Sequence, residues 1–301
     1  MMKHLSEIVE EARKKGKKRL AVAYGQDSHT IAAVYAAYKE GLVEPILFGD
    51  PQIIEQVCKE ENIDFNIFKV VAESNDVKCV KLAVNAVMTG EADVLMKGLV
   101  STDKYMRGIL NKEAGLFPPK GVLSHVAVIE MPNYPKLLTI SDAAVIPQPD
   151  FKQKQTQVGY LARIANLLGI ATPKIACIAP SEQLLPSVIS STEGALLAKM
   201  GDRGQLGNVI IDGPLSIDVA LYKEVAEHKK VKGSSVAGDA DCLLFPNIES
   251  GNIFFKAATH MSGGEIAAMV MGTKVPCVLT SRGDSSLTKL YSIALACLAA
   301  K

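Results

Sequence analysis

Short apolar runs recur along this chain, and most give way within a few residues to a stretch with helical spacing. RLAVAYG (19–25) precedes HTIAAVYAAYKEGL, in which apolar residues fall three and four apart and Gly41 marks a stop. EPILFGD (44–50) leads into PQIIEQVCKEEN, with Pro51 in the first turn of the expected helix. VKCVKLAVNAVMTGE is a further amphipathic helix, ADVLMKG (92–98) a third buried strand, and STDKYMRGILN opens from a Ser/Thr/Asp cap. Strands buried on both faces and separated by helices pair in parallel, with helices covering the sheet. The pattern therefore predicts an α/β fold built on mostly parallel, doubly wound sheets.

The middle of the chain departs from this rhythm. SHVAVIEM (124–131) and KLLTISDAAVI (136–146) flank MPNYP, which predicts an antiparallel hairpin added to the sheet. PQPD (147–150) follows as Pro-rich punctuation and is the expected crossing between domains. The alternation then restarts with a helix in FKQKQTQVGYLARIANLLG, a strand in KIACIAP, a helix through Leu196 and a strand in NVIIDGPL. ADCLLFP (240–246), a helix from about Gly251, and a final strand and helix complete the chain, with no internal repeat.

At 301 residues the chain can form two α/β domains or one large one. Its 33 Lys and Arg against 32 Asp and Glu give no electrostatic case for nucleic acid or a membrane surface. The densest basic run, RKKGKKR from Arg13 to Arg19, reads as a solvated helix end. No apolar core of a signal sequence is present near the start, and no apolar stretch approaches the length of a membrane span. The six cysteines are scattered without a C-x-x-C pair, three of them inside apolar runs, so a reducing, cytoplasmic setting is expected. In that setting Arg282-Gly283-Asp284 has no extracellular receptor to meet.

Ligands of open α/β sheets bind beyond the carboxyl ends of the strands. Those ends carry Lys97, Gly98, Ser101 and Thr102; Ser124 and His125; Gly213 and Pro214; Asn247, Ser250, Gly251 and Asn252; and Ser281, Arg282, Gly283 and Asp284. Hydroxyls, amides, glycines and single cations, with few carboxylates, suit a bound oxyanion such as phosphate. Each has a second reading: Ser, Thr and Asp also cap helices, Arg282 could pair with a surface carboxylate, His125 is either a core or a catalytic histidine, and Gly251 and Gly283 relieve turns. His260 lies within a helical stretch and reads as structural. G-x-x-x-x-G-K-[ST], a G-x-G-x-x-G after the first strand, H-E-x-x-H and G-x-S-x-G are all absent from the sequence.

MKGLVSTDKYMRGIL, DGPLSIDVAL, GSSVAGDADCLLFPNIESGNIFFKAATHM and VPCVLTSRGDSSLTKLYSIALA together resemble the phosphate acetyltransferase and phosphate butyryltransferase family, over nearly the whole chain and in the same order. The length and the S-R-x-D-S-x-x-T-K-L-Y-S-I-A-L-A ending are closer to the butyryl branch. The resemblance implies two α/β domains with an interdomain cleft, the fold shared with isocitrate and isopropylmalate dehydrogenases. The last strand and helix would return to the first domain, giving 1–149 with 269–301 and 150–268. It implies reversible acyl transfer between coenzyme A and inorganic phosphate by direct thiolate attack, with coenzyme A as substrate, no other cofactor, no metal, and a homodimer or larger homo-oligomer.

By the same resemblance, Ser281 and Arg282 hold the phosphoryl and carbonyl oxygens. Lys97, Ser101, Thr102, Ser124 and His125 line the phosphate side, and Asn247, Gly251, Asn252 and Gly283 supply backbone and amide donors. The acetyl branch carries a catalytic Asp seven residues after the Ser, where this chain has Thr288. Asp284 is then the candidate base by proximity, its other reading being a helix cap or first-turn carboxylate.

Overall fold

In a computed structural model of the chain, residues 1–280 and 284–301 are described. Among them are the strands β1 (Lys18–Ala23), β2 (Val43–Gly49), β3 (Lys69–Ala72), β4 (Val94–Lys97), β5 (Ser124–Glu130) and β6 (Leu138–Ser141). Further along lie β7 (Lys174–Ile178), β8 (Ile210–Leu215), β9 (Cys242–Leu244), β10 (Glu265–Met271) and β11 (Cys277–Val278). The helices are α1 (Leu5–Lys14), α2 (Ser28–Lys39), α3 (Pro51–Glu60), α4 (Asp76–Met88), α5 (Thr102–Ile109) and α6 (Phe151–Leu167). They continue with α7 (Ile189–Asp202), α8 (Ile217–Leu221), α9 (Lys223–His228), α10 (Ile248–His260) and α11 (Ser286–Ala299).

The chain divides into two compact units, Ser6–Leu123 with Ala267–Lys301, and Met1–Leu5 with Ser124–Ile266. In the first unit the strand order is β3-β2-β1-β4-β11-β10. Every pairing is parallel except β10 with β11, where Val270 faces Cys277 across an antiparallel step. Leu20, Ala21 and Val22 of β1 and Val94, Leu95 and Met96 of β4 are wholly enclosed. Such central strands read as unbroken apolar runs because helices cover both faces.

In the second unit the order is β5-β6-β9-β7-β8. The expected hairpin is there: β5 and β6 pair antiparallel, Val128 opposite Thr139, and β6 then runs parallel to β9. That parallel pairing explains why residues 124–149 group with the second unit rather than with 1–123, where the sequence boundary at 149 put them. PQPD accordingly lies inside the second unit, where Asp150 forms a capping box with Gln153 at the start of α6. The first five residues join the same unit: the Met2 N–H donates to Leu168 O and the Leu5 N–H to Glu130 Oε2, both at 2.8 Å.

Two strands escape the sequence reading. β3 is a four-residue edge strand with no buried residue, so it leaves no apolar run. β10 is buried almost throughout, yet EIAAMVM carries an Ala-Met pattern that fits a helix segment as well as a strand, and the expected boundary at 268 cuts through it.

Candidate active site

β1, β4 and β11 lie side by side and parallel, so the residues that follow them emerge at one edge of the sheet. There they bound a cleft of about 180 Å³ formed by Asp27, His29, Thr30, Lys97, Gly98, Leu99, Thr280 and Lys289. The chain leaves β1 through Tyr24, whose φ of 58° is in the left-handed region. The turn after β4 lies directly on this segment: the Gly98 N–H donates to Ala23 O and the Leu99 N–H to Tyr24 O, each at 2.9 Å. A Cβ at Gly98 would stand 2.4 Å from Tyr24 O, so only glycine permits the approach.

Two buried lysines give the cleft its cations. Lys97 ends β4, and its Nζ donates to the carbonyls of Gly98 (3.2 Å) and Val100 (3.1 Å), which holds the ammonium at the strand end. Lys289, one turn into α11, donates to Asp284 O at 2.8 Å. Among the described residues one carboxylate also bounds the cleft. Asp27 is the N-cap of α2, its Oδ1 accepting from the Thr30 N–H at 3.0 Å. Its Oδ2 is buried and has no hydrogen-bond partner among the described residues.

Of the expected catalytic trio, Ser281 and Arg282, together with Gly283, lie outside the described residues; Thr280 of the cleft immediately precedes them. Asp284 is half-buried and stands one residue before the helix cap. The cap itself is Ser285, whose Oγ accepts from the Thr288 N–H at 3.0 Å and lies 3.1 Å from Thr288 Oγ1. The capping reading of Asp284 therefore does not hold, and Thr288 is engaged in the cap. Ser101 and Thr102 are exposed and do not bound the cleft; Ser101 caps α5, its Oγ accepting from the Lys104 N–H at 3.4 Å.

The second unit gathers the other expected residues around a carboxylate that sequence reasoning missed. Asp142 is buried and accepts five hydrogen bonds. Its Oδ2 takes the Ser124 hydroxyl (2.8 Å) and the N–H groups of His125 (3.1 Å) and Ile146 (3.2 Å); Oδ1 takes those of Ala144 (2.8 Å) and Val145 (2.9 Å). Gln157, also buried, donates to Ser124 Oγ at 3.2 Å. The start of α10 packs onto the same turn. The Asn252 amide donates to Ala143 O at 2.8 Å, and a Cβ on Gly251 would lie 2.1 Å from Asp142 O. Asn247 caps that helix, accepting from the Ser250 N–H at 3.0 Å, so α10 begins three residues before the expected Gly251. The buried His125 ring meets Phe255 edge-on at 6.0 Å between centroids. The structure thus brings Ser124, His125, Gly251 and Asn252 together, and Lys97 with Lys289 and Asp27 separately.

No cysteine is suited to nucleophilic work. All six are buried and free, and burial pushes the thiols of Cys177, Cys277 and Cys297 up to about 12 and that of Cys79 to about 11. Among the described residues no group of three or more His, Cys, Asp or Glu could hold a metal ion, and no helix is long and apolar enough to cross a membrane.

A cleft with two lysines at the carboxyl ends of parallel strands is a place where α/β proteins bind anionic ligands. Residues 4–81 and 66–297 match the phosphate acetyl/butaryl transferase family, and the chain belongs to it. It is 42% identical over 300 residues to the phosphate butyryltransferase of Clostridium acetobutylicum, covering 100% of this chain and 99% of that one. It is 40% identical over 291 residues to the phosphate acetyltransferase of Thermotoga maritima, covering 97% and 98%. Among solved structures, a branched-chain phosphotransacylase from Enterococcus faecalis V583 superposes with a TM-score of 0.82 at 31% identity, over 93% of this chain and 97% of that one.

Proposed function

We propose that this protein moves a short acyl group reversibly between coenzyme A and inorganic phosphate, with butyryl favoured. The observation that carries the reading is the end-to-end identity with a phosphate butyryltransferase. The cleft chemistry agrees with it: two buried ammonium groups and a helix start at the carboxyl ends of parallel strands attract a phosphate.

Toward acyl phosphate, a phosphate oxygen attacks the thioester carbonyl carbon. A C–O bond forms, the C–S bond breaks, and the sulfur leaves with the electron pair and takes up a proton. In reverse, the coenzyme A thiolate attacks the acyl phosphate carbonyl and phosphate leaves. Both directions pass through charge on the carbonyl oxygen, which Ser281 and Arg282 stabilise in this reading. Asp284 takes the thiol proton, and the Ser285 cap fixes its place ahead of α11. Lys97 and Lys289 draw the phosphate in. Of the other expected residues, Ser124, His125, Asn247, Gly251, Asn252 and Gly283 hold substrate in this reading, whereas Ser101 and Thr102, outside the cleft, do not. The raised thiol values of the buried cysteines favour this direct route over an acyl-cysteine intermediate.

Phosphate-dependent release of free thiol is to be measured from acetyl-, butyryl-, isobutyryl- and longer acyl-coenzyme A. The expected profile peaks at four carbons. A peak at acetyl would keep the chemistry and favour the second reading, which the 40% identity with an acetyltransferase supports. Binding of coenzyme A without release from any thioester would overturn acyl transfer in favour of a binding protein.

A further inference from the structure

The helix after β4 begins with Ser101 and Thr102, and neither bounds the cleft. What α5 sends into the core is Tyr105, which is wholly buried. Its hydroxyl meets a main-chain carbonyl on each of two neighbouring strands, Leu95 O of β4 at 3.4 Å and Val278 O of β11 at 3.2 Å. Burial pushes the phenol well above its ordinary range, so it stays protonated and shares one proton between the two carbonyls. A phenylalanine ring would fill the same space without burying a hydroxyl. Both carbonyls stand just ahead of the cleft, Leu95 before Met96 and Lys97, Val278 before Leu279 and Thr280.

β11 has few other ties. Among the described residues it spans only Cys277 and Val278, pairing with β10 at Val270–Cys277 and with β4 at Cys277–Leu95 and Val278–Met96. We infer that Tyr105 is a positioning residue for acyl transfer, its hydroxyl fixing the ends of β4 and β11 against each other. It thereby steadies the chain that runs on into Lys97, into Thr280 and, in sequence, into Ser281 and Arg282. The inference rests on acyl transfer as the reaction and adds what holds its groups in register. Ser101 then serves the site at one remove: its side chain caps α5, and its carbonyl accepts from the Tyr105 N–H at 3.1 Å. Small displacements of reacting groups cost turnover steeply, because a near-attack geometry is lost before binding is.

The test is Tyr105→Phe, with Tyr134→Phe as its control. Tyr134 is also buried and donates to one main-chain carbonyl, Ala240 O, in the second unit. Phosphate-dependent thiol release from butyryl-coenzyme A is measured for both variants, together with deuterium exchange of peptides 94–97 and 275–280. In Tyr105→Phe kcat is expected to fall by about tenfold or more, with KM for butyryl-coenzyme A within about twofold of the parent. The two peptides should exchange faster, while β7 and β9 exchange as in the parent. Tyr134→Phe should keep the parent's kcat. Unchanged kcat or unchanged exchange in Tyr105→Phe, a loss confined to KM, or equal losses in both variants overturns the inference and leaves acyl transfer standing. If the parent releases no thiol, acyl transfer falls and exchange decides the rest. Faster exchange confined to the two peptides then upholds the tie between the strands, and unchanged exchange overturns it.

Discussion

Arg282→Gln is expected to lower phosphate-dependent turnover by about 10²- to 10³-fold, the usual consequence of removing one donor from a developing oxyanion. The argument does not depend on how tightly the ground state binds. In the proposed reaction the guanidinium acts on charge that grows only as the carbonyl is attacked, so kcat should fall more than the affinity for acyl-coenzyme A. Ser281→Ala should cost less, because a neutral hydroxyl stabilises an oxyanion less than a cation does. Steady-state kinetics of both variants checks the order. Turnover in Arg282→Gln equal to that of the parent would remove this arginine from the chemistry.

Asp142→Ala carries the largest expected effect on stability. The substitution leaves the Ser124 hydroxyl and the N–H groups of His125, Ala144, Val145 and Ile146 without their acceptor. Each buried donor left unsatisfied costs ~1–3 kcal/mol, so a loss of at least about 3 kcal/mol is expected even if water reaches some of them. Asp142→Asn keeps an oxygen for part of the set and should fall between the two. The measurement is urea unfolding followed by circular dichroism, which reads the midpoint shift with an unchanged slope. A midpoint in Asp142→Ala within error of the parent would show that these donors find other partners at no cost.

The fold was legible because its central strands are buried on both faces. RLAVAYG and ADVLMKG read as apolar runs since they become β1 and β4, with helices above and below. The same logic fails where that cause is absent. β3 lies at a sheet edge and never needs an apolar run. The boundary between the units was displaced because the pairing of β6 with β9 joins residues a hundred positions apart, and no local turn signal reports such a pairing.

The cleft was legible only in part, for similar reasons. Lys97 stood out as a cation directly after an apolar strand, and the structure places it in the cleft. The sequence reading searched the ends of the later strands and passed over the first, although Asp27-Ser28-His29-Thr30 after β1 carries the same cap signature. Ser101 carried that signature too and turns out to cap α5 outside the cleft, so the signature alone does not separate a cap from a ligand. Asp142 left no trace. Its role comes from five donors on the β5 end and the 144–146 turn, which only the folded hairpin brings together.

The central claim, acyl transfer to phosphate, is tested most directly by incubating the protein with butyryl-coenzyme A and phosphate and quantifying both products. The account predicts one acyl phosphate, trapped by hydroxylamine as its hydroxamate, for each free thiol released, and no thiol release when phosphate is omitted. Thiol release that proceeds without phosphate, or that leaves free butyrate in place of the acyl phosphate, would contradict it.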